Sequence, residues 1–114
     1  MILVMKRYDT RNAVKAVLKT PKGNRVDLTG AQVQFVMVKY GDRSKVVANR
    51  EATIIDPENG VVCFPFEREE TAELGYMLAE FRVTYVDGKD ERFPNDGYIT
   101  IKFVKELGGG VNGV

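Results

Sequence analysis

The sequence has no histidine, one cysteine, no block of like charge and no apolar run long enough to span a bilayer. Each absence removes a class of function. Without histidine the usual general base near neutral pH is missing, and with it the Ser-His-Asp and Cys-His arrangements and most zinc sites. An enzyme is not expected, nor a bound cofactor or metal. Cys63 cannot form an intrachain disulfide. With no imidazole to activate it, it reads as an inert small residue within a strand, consistent with assembly in a reducing cytoplasm. The 17 basic and 16 acidic residues are interspersed and leave a net charge of +1. That leaves no footprint for phosphates or an anionic surface, so neither nucleic acid nor membrane is an expected partner. The apolar opening, residues 1–5, is too short for a secretory core or a membrane span and reads as a strand of a soluble protein.

What is present is alternation. Met77, Ala79, Phe81, Val83 and Tyr85 alternate with Tyr76, Leu78, Glu80, Arg82 and Thr84, a period of two that puts one apolar row on one face of a strand. Asp87-Gly88 predicts a two-residue turn with both central residues at positive φ, so the chain folds back as a hairpin. After Phe93-Pro94-Asn95-Asp96-Gly97, alternation resumes with Ile99, Ile101 and Phe103 on one side.

Upstream, residues 2–8 and 13–19 are two strand-like runs that fit either one hairpin or two sheets. Val33, Phe35 and Met37 line a core strand whose end, with Val36 and Val38, reads as buried on both sides. Gly41-Asp42-Arg43-Ser44 breaks it. Short runs follow at 45–48 and 52–55, then the turn Asp56-Pro57-Glu58-Asn59-Gly60. Val62, Phe64 and Phe66 share a face of the next strand, which Pro65 should place at an edge or terminate. Residues 67–74 have helical character for about two turns at most, which suits a brief turn crossing between sheets, with Gly75 as the C-terminal cap. The expected fold is all-β: an antiparallel, immunoglobulin-like β-sandwich of seven or eight short strands with one short helical turn, a single domain over residues 1–106. The glycine-rich residues 107–114 read as a flexible tail.

Motifs that resemble chemistry fail on context. Gly108, Gly110 and Gly113 spell G-x-G-x-x-G, but no strand-to-helix frame surrounds them. The acids of the 56–60 turn have the wrong spacing for a calcium loop. Glu67, Glu69 and Glu70 beside Arg68 read as a solvated face, and Lys39, Arg43, Lys45 and Arg50 as a solvated basic hairpin diluted by Asp42 and Glu51. Tyr40, Tyr85, Phe93 and Tyr98 offer too few free aromatics for a sugar groove, since Tyr85 shares the core row.

Taken jointly, Asp27-Leu28-Thr29-Gly30-Ala31, the 56–60 turn ending in Gly60 before Val61-Val62, Thr71-Ala72-Glu73-Leu74-Gly75-Tyr76, Ala79-Glu80-Phe81 and Phe93-Pro94-Asn95-Asp96-Gly97-Tyr98 resemble the N-terminal domain of the phage baseplate upper protein family. In physical terms Leu28 can plug the core, Gly30 can supply a backbone angle closed to other residues, and Gly75-Tyr76 falls where immunoglobulin-like folds place a corner tyrosine. The resemblance implies a virion structural protein of the tail or baseplate, assembled in the bacterial cytoplasm. Such a module links a receptor-binding or fibre component to the particle, and its partners are other virion proteins or copies of itself. The alternatives are a head or neck accessory protein and a carbohydrate- or cell-surface-binding module.

Overall fold

The computed structural model describes residues 2–107, built from nine strands and two 3-10 turns. The strands are β1 (Ile2–Lys6), β2 (Ala13–Val17), β3 (Gln32–Lys39), β4 (Asp42–Glu51), β5 (Thr53–Asp56), β6 (Val61–Pro65), β7 (Gly75–Thr84), β8 (Asp90–Phe93) and β9 (Ile99–Val104). The 3-10 turns are Pro57–Asn59 and Arg68–Thr71. Residues 108–114, with the accidental glycine motif and most of the expected tail, lie outside the described residues.

The all-β expectation holds, in two sheets. The larger runs β1-β9-β7-β3-β4, with β8 also on β7; the smaller is β2-β6-β5. β7 is the hub. One edge pairs with β3, and the other is shared end to end by β9 and β8. Every pairing is antiparallel except β1 with β9, which is parallel. The first two runs therefore do not form a hairpin: β1 joins the larger sheet and β2 the smaller. Tyr8 carries the chain across at φ +70, its amide donating to the Thr71 carbonyl and its ring centre 4.9 Å from the Arg7 guanidinium and 4.2 Å from that of Arg68.

The core lies where the alternation places it. Val33, Phe35 and Met37 of β3, Met77, Ala79, Phe81 and Val83 of β7, and Ile101 and Phe103 of β9 face Val14, Val62 and Phe64 of the smaller sheet, all buried. Phe35 stacks on Phe64 across the sheets, with centroids 4.1 Å apart and planes at 19°. Each large side chain buried this way contributes about 1.5–3 kcal/mol of transfer free energy.

The helical turn expected to cross between the sheets is present as a single 3-10 turn, with Glu70 turned inward and Thr71 fully buried. Two local expectations are corrected. Gly75, at φ +105, opens β7 and does not cap a helix. The Asp87-Gly88 hairpin has a three-residue loop closed by the Tyr85 amide on the Lys89 carbonyl, and of its two turn residues only Gly88 has positive φ. The Asp87 carboxylate accepts the Lys89 amide at 3.0 Å, which holds Asp87 in an ordinary conformation. Of the two outcomes Pro65 allowed, the second holds: β6 is a central strand that ends at Pro65.

Pro65 is tolerated in that central strand for a geometric reason. Leu18 donates to the Gly60 carbonyl, and antiparallel pairs alternate, so Ala16 and Val14 also bond across to β6 while Lys15 and Ala13 do not. Pro65, opposite Ala13, therefore turns its nitrogen away from β2, and β5 pairing has already ended at Cys63. No ladder bond is lost. Val36 and Val38, expected to be buried on both sides of the sheet, are half-buried on its outer face.

Candidate functional site

The residues of the family motifs fall into two groups. In the first, Asp27 closes a turn by accepting the Thr29 amide at 2.9 Å and its hydroxyl at 2.6 Å, and these bonds hold the Asp27 carboxyl below its usual range. That turn aims Leu28 into the core, fully buried, while its amide donates to the Pro57 carbonyl at 2.7 Å. Gly30, at φ +74, passes beneath Val86, whose Cγ2 a Cβ would meet at 2.6 Å. Two motifs thirty residues apart thus brace one another, with Gly60 wedged between the backbones of Leu18 and Val26.

The second group is the stretch from Phe93 to Tyr98. Phe93 pairs with Phe81 and Ile99 with Ala79, so the single residue Glu80 on β7 faces five residues, 94–98, that leave the sheet as a loop. The loop starts at a cis Phe93-Pro94 bond and turns at Gly97, φ +75. Asn95 ties it down by donating to the Glu91 carboxylate and the Arg92 carbonyl, while Asp96 is exposed. Arg43 of the β3–β4 hairpin donates to the Tyr98 hydroxyl at 3.2 Å and lies 5.0 Å from its ring centre. Gly75 and Tyr76 stand apart from both groups. Tyr76 follows the crossover, yet its ring lies on the open outer face, edge-on to Tyr40 at 6.3 Å and beneath Lys102.

That outer face holds what sequence reading missed. Residues opposite one another in register share a face. Ile2 lies opposite Thr100, Thr100 opposite Leu78, Leu78 opposite Val38 and Val38 opposite Val46. The result is one cross-strand row over five strands, apolar except for Thr100. One level along, Val4 lies opposite Lys102, and Lys102 opposite Tyr76. Ile2 is 56%, Val4 63%, Val46 53%, Tyr40 63% and Tyr76 42% exposed. The sequence signal was the apolar character of Val36, Val38, Tyr76 and Leu78 at positions the alternation turns away from the core.

The charged groups are largely neutralised or structural. Glu70 is not on a solvated face. It is 7% exposed and takes Arg50 in two bonds of 2.9 and 2.7 Å while accepting the Glu67 amide at 2.7 Å. Arg50, its pKa raised by Glu70, also donates to the Pro65 carbonyl and lies 4.2 Å from the centre of the Phe64 ring. Lys45 and Lys39 both engage Glu73 and hold its carboxyl below the usual range. The expected basic hairpin is therefore divided among separate partners. Cys63 is buried in β6. Among the described residues no group of His, Cys, Asp and Glu converges to hold a metal ion, and no helix is long and apolar enough to cross a membrane.

The family model of the BppU N-terminal domain matches residues 5–97. Among solved structures the chain is similar to the N-terminal domain of phage TP901-1 ORF48, at 17% identity and a TM-score of 0.58 over 93% of this chain and 85% of that one. It is also similar to CopC from Methylosinus trichosporium OB3b, at 14% identity and a TM-score of 0.52 over 91% of this chain and 84% of that one. At these identities both likenesses show the fold alone. No curated protein matches the sequence. The family match spans most of the chain, and the fold agrees with it: the chain belongs to the N-terminal domain family of the phage baseplate upper protein, a structural component of the virion tail and baseplate.

Proposed function

We propose that this chain is a non-enzymatic docking module, a single domain over residues 1–106 that links a receptor-binding or fibre component to the baseplate by burying the outer face of its larger sheet against another virion protein. The observation that carries this is the row Ile2, Thr100, Leu78, Val38, Val46 with Val4, Tyr40 and Tyr76 beside it. A contiguous apolar band on an open sheet marks an interface more often than chance exposure does. Five strands at a spacing of about 4.8 Å, up to ten residues long at about 3.3 Å each, offer a face of about 20 by 30 Å. That is the scale of the roughly 800 Å² per partner that stable complexes bury.

The test is mass spectrometry of separated tails and heads, followed by lysine cross-linking of intact virions. The chain should fractionate with tails, and Lys6 and Lys102, which share the outer face, should cross-link to a neighbouring virion protein. Absence from the tail fraction would sink the docking role. Cross-links that avoid both lysines would sink the assignment of the face.

A carbohydrate- or cell-surface-binding reading draws on the exposed Tyr40 and Tyr76. Their planes meet at 60°, edge to face, and offer no shared stacking platform, which favours protein docking.

A further inference from the structure

The two sheets are unequal, six strands against three, so the smaller one leaves part of the larger one's inner face uncovered beside β2. Leu3 and Ile99 belong to the inner rows of β1 and β9, yet both are only half-buried. They floor a groove of about 870 Å³, with Ala16 and Leu18 on one wall and Phe93 and Pro94 on the other. One wall is thus the edge of β2 and the other the loop that the strongest family motif builds.

We propose that this groove takes an extended segment of a partner protein that adds to β2 as a fourth strand of the smaller sheet; this deepens the docking reading above and names the chemistry of one partner. Two observations argue for it. Ala16 and Val14 spend their backbone groups on β6, while Leu18 donates to the Gly60 carbonyl and accepts the Val26 amide, so the N–H and C=O groups of Lys15 and Val17 point to the open edge, where no strand pairs with β2 among the described residues. Unpaired edge groups beside an apolar floor are what strand addition uses, with main-chain bonds for affinity and alternate side chains for specificity. The second observation is charge. Lys15 and Lys19 stand on the rim, exposed and with no ion-pair partner among the described residues. They lie four residues apart on the same side of the chain. The complementary segment therefore alternates small apolar residues, facing Leu3 and Ile99, with outward residues that include acids at i and i+4.

The probe is a synthetic heptapeptide, acetyl-Glu-Val-Thr-Val-Glu-Val-Thr-amide, titrated into the ¹⁵N-labelled full chain. Binding should shift the Lys15 and Val17 amides and slow their solvent exchange at least about tenfold. The same peptide N-methylated at alternate amides should not bind. A twin with lysine in place of glutamate should bind several-fold more weakly at low salt, the difference shrinking as salt rises. Lys15→Pro removes an edge donor that makes no bond within the fold, so it should abolish binding with the melting temperature retained. If that variant fails to fold, the N-methylated peptide carries the test. No binding at about 1 mM peptide, equal binding of the N-methylated form, or equal binding of the lysine twin would each overturn the proposal. Peptide binding by a chain that is missing from tails would leave the groove standing and remove the docking role; a chain present in tails whose groove takes no strand would do the reverse.

Discussion

Gly60 sits against the carbonyl oxygen of Val26: a Cβ placed on it would come within 2.7 Å of that oxygen and 2.8 Å of the Leu18 carbonyl, at φ +68. Both obstacles are backbone and neither can swing aside. Gly60→Ala should cost about 3 kcal/mol or more. Gly88→Ala, at φ +85 in open space, carries the dihedral strain alone and should cost about 1 kcal/mol. Urea midpoints of the two variants compare them directly, and similar losses would show that the packing around Gly60 yields.

Arg50 and Glu70 form a clamp between β4, the end of β6 and the crossover turn. Glu70→Ala strands a half-buried guanidinium and frees the Glu67 amide, and should cost about 2–3 kcal/mol. Adding Arg50→Met should cost less than the sum of the single changes, with a coupling of about 1–2 kcal/mol in a double-mutant cycle. Strict additivity would mean the two side chains do not act as a pair.

Stability should be flat from about pH 5 to 8, because the sequence has no histidine to titrate in that range. The carboxyls of Asp27, Asp42, Glu73 and Glu106 are held below their usual range by Thr29, Ser44, Lys45 and Arg7. Each contributes stability that is present above its unfolded pKa and lost as pH falls through the folded one, so melting temperature should drop below about pH 4. On the alkaline side, burial first and then the Glu91 bond raise the Tyr85 phenol, so the fold keeps a proton that the unfolded chain releases. Stability should decline above about pH 10. Melting curves across this range check both limbs, and Tyr85→Phe should flatten the alkaline one.

Val4→Lys and Val46→Lys place charge on the outer row at exposed positions, so each should change folding stability by less than about 0.5 kcal/mol. Each should nonetheless weaken incorporation into tails about tenfold or more if the row is the docking face. Particle occupancy, measured by quantitative mass spectrometry of virions grown with each variant, separates the outcomes. Full occupancy would move the interface elsewhere.

Much of the fold was legible because strand alternation is local. The inner rows of β3, β7 and β9 follow from side chains two residues apart along one chain segment. The errors came where a remote partner intervened. Glu70 looked solvated until β4 supplied Arg50, and Pro65 left an edge strand and a strand end both open until the pairing showed a central strand that ends there. The outer apolar row was the least legible, since it takes one residue from each of five strands.

The sequence by itself determined the class of protein: alternation and turn chemistry make it all-β, the lack of histidine removes most catalytic machinery, and the joint motifs carry the family. Only the tertiary structure decided which strands share a sheet, that β1 runs parallel to β9, and that Ile2, Thr100, Leu78, Val38 and Val46 become one row while β2 is left, among the described residues, with an open edge. The physical reason is that period and turn type act within a few residues, whereas pairing and register are settled by which apolar rows bury one another across the whole chain.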